Sequence, residues 1–144
     1  PRDAEAVRKG VQTGKFSKAV IIGAGLVGME MAEALREWEL DVTVVEMQQQ
    51  VFPAFLDPDV AGMVHKYAAE KNIQLLTGEK VTSFVGEQVV SAVETDKRSI
   101  PADLVILALG ARPNAALARA AGLAIGVTGA IAVDARMQTR DPDI

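Results

Sequence analysis

The segment from Lys18 to Glu46 constrains this chain more than any other. It sets an apolar strand, a Gly-x-Gly-x-x-Gly turn, an amphipathic helix and a second strand closing on an acid in immediate succession. Ala19-Val20-Ile21-Ile22 reads as the first strand, Gly23-Ala24-Gly25-Leu26-Val27-Gly28 as the turn, and Val42-Thr43-Val44-Val45 as the second strand, with Glu46 at its end. Together they predict a βαβ unit in which each glycine has a task. Gly23 permits the sharp exit from the strand, Gly25 lets the backbone approach a pyrophosphate, and Gly28 allows the helix to lie close to the strand. The helix N-terminus, at Leu26 and Val27, then faces the phosphates.

Glu46 falls where the ribose of a bound dinucleotide would lie. A carboxylate there accepts hydrogen bonds from the 2′- and 3′-hydroxyls and repels a 2′-phosphate, and the following Met47-Gln48-Gln49-Gln50 carries no arginine to attract one. The residues therefore predict NADH over NADPH. FAD can occupy the same fingerprint, so the motif sets the class of dinucleotide and leaves its member open. The competing reading is a structural turn with no nucleotide, which has to treat the strand, helix and distal acid as coincidental.

Composition bounds the rest. With 144 residues, 49% hydrophobic and 24% charged, the chain can build one core. A net charge of −4 and 15 Lys and Arg without a dense cluster predict no nucleic-acid partner. No run approaches the roughly 20 apolar residues that span a bilayer, and the N-terminus shows no basic-then-apolar leader, so the expectation is a cytoplasmic protein with no membrane partner. The absence of cysteine excludes disulfides, thiolate metal sites and a cysteine nucleophile within this chain.

Along the chain, Ala4, Ala6, Val7 and Val11 predict a short leading helix over residues 3 to 14, stopped by Gly14. After the glycine turn, Val27, Met31, Ala34, Leu35 and Trp38 predict the helix face that covers the sheet. Asp57-Pro58 supplies an N-cap and a proline at the first helical position, and Val60, Met63, Val64, Tyr67 and Ala68 predict the buried stripe of a second crossover helix. Ile73 to Leu76 reads as a third strand. Val81 to Val85 and Val89 to Thr95 read as a small antiparallel meander joined through Gly86, with Glu94 to Arg98 a solvated hairpin or loop. The apolar run Leu104 to Leu109 predicts a strand buried on both faces that returns to the parallel sheet. Beyond Gly110 come a turn at Ala111 to Asn114, a short helix from Ala115 to Ala121 and a β-like segment at Ala130 to Val133, which place a boundary near Arg112.

Over nearly its whole length the chain resembles the NADH-binding domain of the pyridine nucleotide-disulfide oxidoreductases, flavoproteins that bind two dinucleotides. The landmarks are Val20 to Gly25 with Glu30 two residues after Gly28, the acid Glu46, Ala102-Asp103-Leu104-Val105 leading to Leu109-Gly110-Ala111-Arg112-Pro113-Asn114, and the close Gln138 to Ile144. Gln50-Val51-Phe52-Pro53, Asp57 and Val64-His65 most resemble the branch of NADH oxidases, coenzyme A-disulfide reductases and persulfide reductases.

The resemblance implies an α/β fold: a Rossmann-like parallel sheet with an antiparallel meander as one crossover, followed by a strip of the flanking domain. It implies an NAD(H)-binding domain over residues 1–112 and an incomplete segment of the FAD-binding domain over 113–144. FAD, the redox cysteine and the interface of a full-length homodimer would lie in the remainder of the polypeptide, leaving this chain colourless, inert and without a catalytic residue of its own. The implied chemistry is hydride transfer from NADH C4 to flavin N5, and onward to oxygen, a disulfide or a persulfide. Glu30 is implied as a partner of the nicotinamide amide or of a lysine of the flavin domain, against a plain solvated helix acid. Gly110 is implied beside the nicotinamide half, against an ordinary turn glycine. Two positions depart from the pattern. Leu26 stands where many relatives carry an aromatic gate, and Glu39 where relatives place a helix-ending glycine; a left-handed backbone there would cost about 1 kcal/mol.

His65 reads as a structural or surface histidine, the five methionines as core and edge filler, and Trp38 as packing. Three functions follow: an NADH-binding domain of a flavin-dependent oxidoreductase, a stand-alone NADH-binding redox-sensing module, and a FAD-binding domain using the same turn.

Overall fold

A computed structural model describes residues 2–144 and divides the chain into two compact units, one ending at Gly110 and one running from Ala111 to Ile144. The first unit runs α1 (Arg2–Gln12), β1 (Lys18–Ile22), α2 (Leu26–Glu37), β2 (Asp41–Glu46), α3 (Pro58–Glu70) and β3 (Ile73–Thr77). The meander β4 (Val81–Val85), β5 (Ala92–Thr95) and β6 (Ser99–Pro101) follows, and then β7 (Leu104–Leu107). Strands β3-β2-β1-β7, in that order, form a wholly parallel sheet, and β4-β5-β6 form an antiparallel one. Parallel neighbours need crossovers, which α2, α3 and the meander supply.

Strand β1 is apolar at four consecutive positions because it serves two cores. Ala19 and Ile21 pack with Ala32, Leu35, Ala61 and Ala68 on the helical side, while Val20 and Ile22 pack with Val93 and Ile100 of the meander. Helix α1 adds Val7 and Val11, with Phe16, to the helical core. At the other end of the sheet the Asp103 carboxylate accepts from the backbone N–H groups of Ser17 (3.0 Å) and Lys18 (2.9 Å) and from the Ser17 hydroxyl (2.9 Å), tying the start of β7 to the start of β1.

Several expectations are corrected. In α2 the residues facing the core are Gly28, Ala32 and Leu35, whereas Val27 and Trp38 are exposed. In α3 they are Ala61 and Ala68 with Val64, whereas Val60, Met63 and Tyr67 are exposed. In both helices small residues replace large ones on the buried face, because they bring the helix axis close to the sheet. The expected Met31, Leu35, Val64 and Ala68 do face the core, and the expectation fails at Val27, Ala34, Trp38, Val60, Met63 and Tyr67. The β7 run rejoins the parallel sheet as expected, as an edge strand paired only with β1, and packs on both faces, with Leu104 and Ile106 on the helical core and Val105 on the meander core, but it ends at Leu107, which is 61% exposed. The meander has a third strand, β6, which the sequence reading missed, and its proline sits on an edge strand, where no ladder donor is required. Part of the supposed solvated loop is buried: Thr95 closes β5, and Arg98 forms an ion pair (3.1 Å) with Glu79, which is only 2% exposed. The Thr95 hydroxyl donates to the same Glu79 carboxylate at 2.7 Å.

Glu39 has the left-handed backbone that its position suggested, with φ 63°. The Leu40 N–H donates to the Leu35 carbonyl (3.2 Å) and the Glu39 N–H to the Arg36 carbonyl (2.9 Å), the two bonds of a Schellman closure. In the second unit, α4 (Ala116–Ala120) buries Ala118, and Ile125 and Ile131 form an isolated antiparallel bridge. That bridge is all that forms of the β-like segment expected at Ala130 to Val133.

Candidate dinucleotide site

With the order β3-β2-β1-β7, connections leave β1 towards β2 on one side while β7 lies on the other. The carboxyl ends of β1 and β7 therefore flank the crevice where open α/β sheets bind ligands. The glycine turn occupies that end of β1. Gly23 has φ 105°, a conformation disfavoured for side-chain-bearing residues, and a Cβ there would also collide with the Ala108 carbonyl. A Cβ at Gly28 would strike the Gly23 carbonyl and come within 3.3 Å of the Ala108 Cβ. These two glycines are required by packing within the protein.

Gly25 is different. It is the N-cap of α2, its φ of −83° and ψ of −170° suit any residue, and a Cβ built on it meets nothing within 4 Å. The first intrahelical bond runs from Met29 N–H to the Gly25 carbonyl (3.0 Å), so the amides of Leu26, Val27 and Gly28 precede any intrahelical acceptor. An open volume over glycine, beside the positive end of a twelve-residue helix, fits a pyrophosphate.

Glu46 reaches this turn directly. Its Oε2 accepts from the Ala24 N–H at 2.8 Å, and its Oε1 accepts from the Gln48 N–H at 2.8 Å. Each carboxylate oxygen retains a lone pair for a ribose hydroxyl. The opposite side of Ala24 is held as well: its carbonyl accepts from the Phe52 N–H at 2.8 Å, and Phe52 adopts φ 48°, uncommon for a bulky residue. Val51, fully buried in the helical core, anchors that loop. Ala24, Phe52 and Ala108 are parts of the site that the sequence reading did not select. The one available signal was the apolar run Val51-Phe52-Pro53-Ala54-Phe55-Leu56 following three glutamines.

The structure thus brings Gly23, Gly25, Gly28 and Glu46 together around one turn. Leu26 and Val27 are exposed at the helix start. Glu30, also exposed, lies with Leu26 and Phe52 along a groove of about 310 Å³ between α2 and α3. Gly110 follows β7 with φ 89° and nothing within 4 Å of a built Cβ. His65 is half-buried on α3, and no group of side chains suited to a metal ion occurs among the described residues.

A strand, a glycine turn with an open N-cap and an acid bonded back to that turn agree with what known proteins show. The sequence profile of the pyridine nucleotide-disulphide oxidoreductases matches residues 1–144. The chain belongs to that family. Among its relatives, an NADH oxidase of Methanocaldococcus jannaschii is 42% identical over 142 residues, covering 99% of this chain and 32% of that protein. The solved structure of an NAD-dependent persulfide reductase from A. fulgidus superimposes with a TM-score of 0.91 at 41% identity, covering 97% of this chain and 26% of that one. A water-forming NADH oxidase from Lactobacillus brevis, solved bound to NADH, gives a TM-score of 0.85 at 32% identity, covering 97% and 30%. This member of the oxidoreductase family therefore spans about a third of the length of the curated relatives it matches, and its neighbours include NADH oxidases and persulfide reductases as well as a ferredoxin reductase.

Proposed function

We propose that the first unit is the NADH-binding domain of a FAD-dependent oxidoreductase and that it presents the nicotinamide to a flavin held elsewhere in the same polypeptide. The observation that carries this reading is the pairing of Gly25, open above the α2 N-terminus, with Glu46 beside it at the end of β2. The N-terminal amides of α2 hold the pyrophosphate, and the free lone pairs of Glu46 hold the adenosine ribose. Gly110, on the β7 flank of the crevice, leaves the nicotinamide half unobstructed, and Glu30 is the acid available to orient its amide. When bound, NADH supplies the hydride; the chain's own residues bind and orient and transfer no proton.

The relatives' names support the class, and the Lactobacillus brevis enzyme is described as bound to NADH. Residues 113–144 belong, in this proposal, to the flavin-binding part of the whole protein: Leu117, Val127 and Met137 are exposed and would be covered there. The whole protein is proposed to be a cytoplasmic homodimer. No helix among the described residues is long and apolar enough to cross a membrane.

Fluorescence titration of the chain with NADH, NADPH and FAD tests the reading. NADH is expected to bind more tightly than NADPH, and Glu46→Ala to narrow the gap by weakening NADH, since a charge-assisted acceptor is worth about 1.5–3 kcal/mol. Equal NADH and NADPH affinities, or purified protein that retains flavin absorbance, would overturn it.

A further inference from the structure

Ribose recognition leaves part of the Glu46 geometry unexplained. A carboxylate whose only partner is a ligand hydroxyl has no reason to take two backbone amides, yet Glu46 takes Ala24 N–H on one oxygen and Gln48 N–H on the other. The Ala24 bond spans 22 residues and enters the glycine turn between Gly23 and Gly25. Gly23 N–H donates to the Val45 carbonyl (2.8 Å), and Phe52 N–H to the Ala24 carbonyl (2.8 Å). The turn is thus tied to the end of β2 and to the loop that follows it by three bonds. Of these, only the Glu46 bond depends on a side chain.

We propose that Glu46 is a positioning residue for the pyrophosphate turn as well as a ribose ligand. It holds the Gly23-Ala24-Gly25 backbone in the shape that aims the α2 amides at the phosphates. The inference rests on the dinucleotide reading above and deepens it. Its consequence concerns cofactor specificity. Removing the acid to admit a 2′-phosphate also loosens the turn, so a neutral residue at 46 gains less NADPH affinity than relief of the charge repulsion alone would supply.

The probe is an NADH analogue carrying 2′,3′-dideoxyadenosine, which keeps the pyrophosphate and lacks the diol. A residue acting only through the ribose would leave the analogue's affinity the same in unmodified protein and in Glu46→Ala. A positioning residue loses affinity for it, by about tenfold or more when a charge-assisted bond to the turn is removed. Glu46→Gln keeps the shape but places an amide against one of the two donors, and it is expected to fall between. Amide hydrogen exchange supplies a ligand-free readout: Ala24 N–H should exchange faster in Glu46→Ala, while core amides of β1 such as Ile21 keep their protection. Equal analogue affinity across the variants, or unchanged exchange at Ala24, overturns the positioning role. Failure of the unmodified chain to bind either dinucleotide would sink the NADH reading instead, and the exchange measurement would still decide whether Glu46 holds the turn.

Discussion

Replacing Gly25 by valine separates folding from binding at this site. The backbone there has φ −83° and ψ −170°, and a Cβ meets no atom within 4 Å, so valine introduces neither strain nor collision within the protein. Reducing the freedom of the unfolded chain at a compatible position stabilises by about 0.4–1 kcal/mol, and exchanging a glycine N-cap for a non-polar residue costs up to about 1 kcal/mol. The melting temperature should therefore stay within about 5 °C of the original. Binding should behave otherwise. The added side chain fills the volume into which the α2 amides point. Loss of two amide-to-phosphate bonds at about 1.5–3 kcal/mol each lowers affinity more than about a hundredfold. Gly28→Ala is the opposite control: its Cβ would strike the Gly23 carbonyl, and overpacking of this kind costs about 1–3 kcal/mol of stability. The assay is a thermal melt followed by NADH fluorescence titration of both variants. A folded Gly25→Val protein that binds NADH as before would refute placement of the pyrophosphate over this turn, and one that fails to fold would refute the packing analysis.

Three further outcomes concern stability. Glu39→Gly should raise stability by about 1 kcal/mol, because glycine removes the cost of the left-handed backbone at φ 63° while both Schellman bonds persist; a melt showing no gain contradicts that account. Arg98→Ala leaves the buried Glu79 carboxylate with its Thr95 bond and no cation. The loss in a denaturant titration should be about 1–3 kcal/mol, below the ~3–5 kcal/mol of a fully buried pair because the arginine is half-exposed. Asp103→Ala releases the Ser17 and Lys18 donors at the shared edge of β1 and β7 and should cost about 1–2 kcal/mol, with faster amide exchange in β7 than in β2 as its local sign.

Much of this protein is legible in its sequence because the decisive signals are local. A strand apolar at four successive positions, glycines at fixed offsets and an acid at the end of the next strand specify a βαβ unit whatever surrounds them. The left-handed Glu39 was anticipated only through the resemblance, because relatives place a helix-ending glycine at that position. What depends on partners in space was not legible. Part of the buried faces of α2 and α3 was decided by how near each helix approaches the sheet, which favours Gly28, Ala32 and Ala61 over larger side chains such as Val27, Val60 and Met63. The exposure of Leu107 was decided by how far the meander reaches along its face, since Val105 two residues earlier packs on that core, and no stretch of residues encodes that reach by itself. The bond from Glu46 to Ala24 likewise needed the tertiary structure: periodicity can place an acid at the end of a strand, but only the packing of β2 beside β1 brings its oxygen to the amide of the glycine turn.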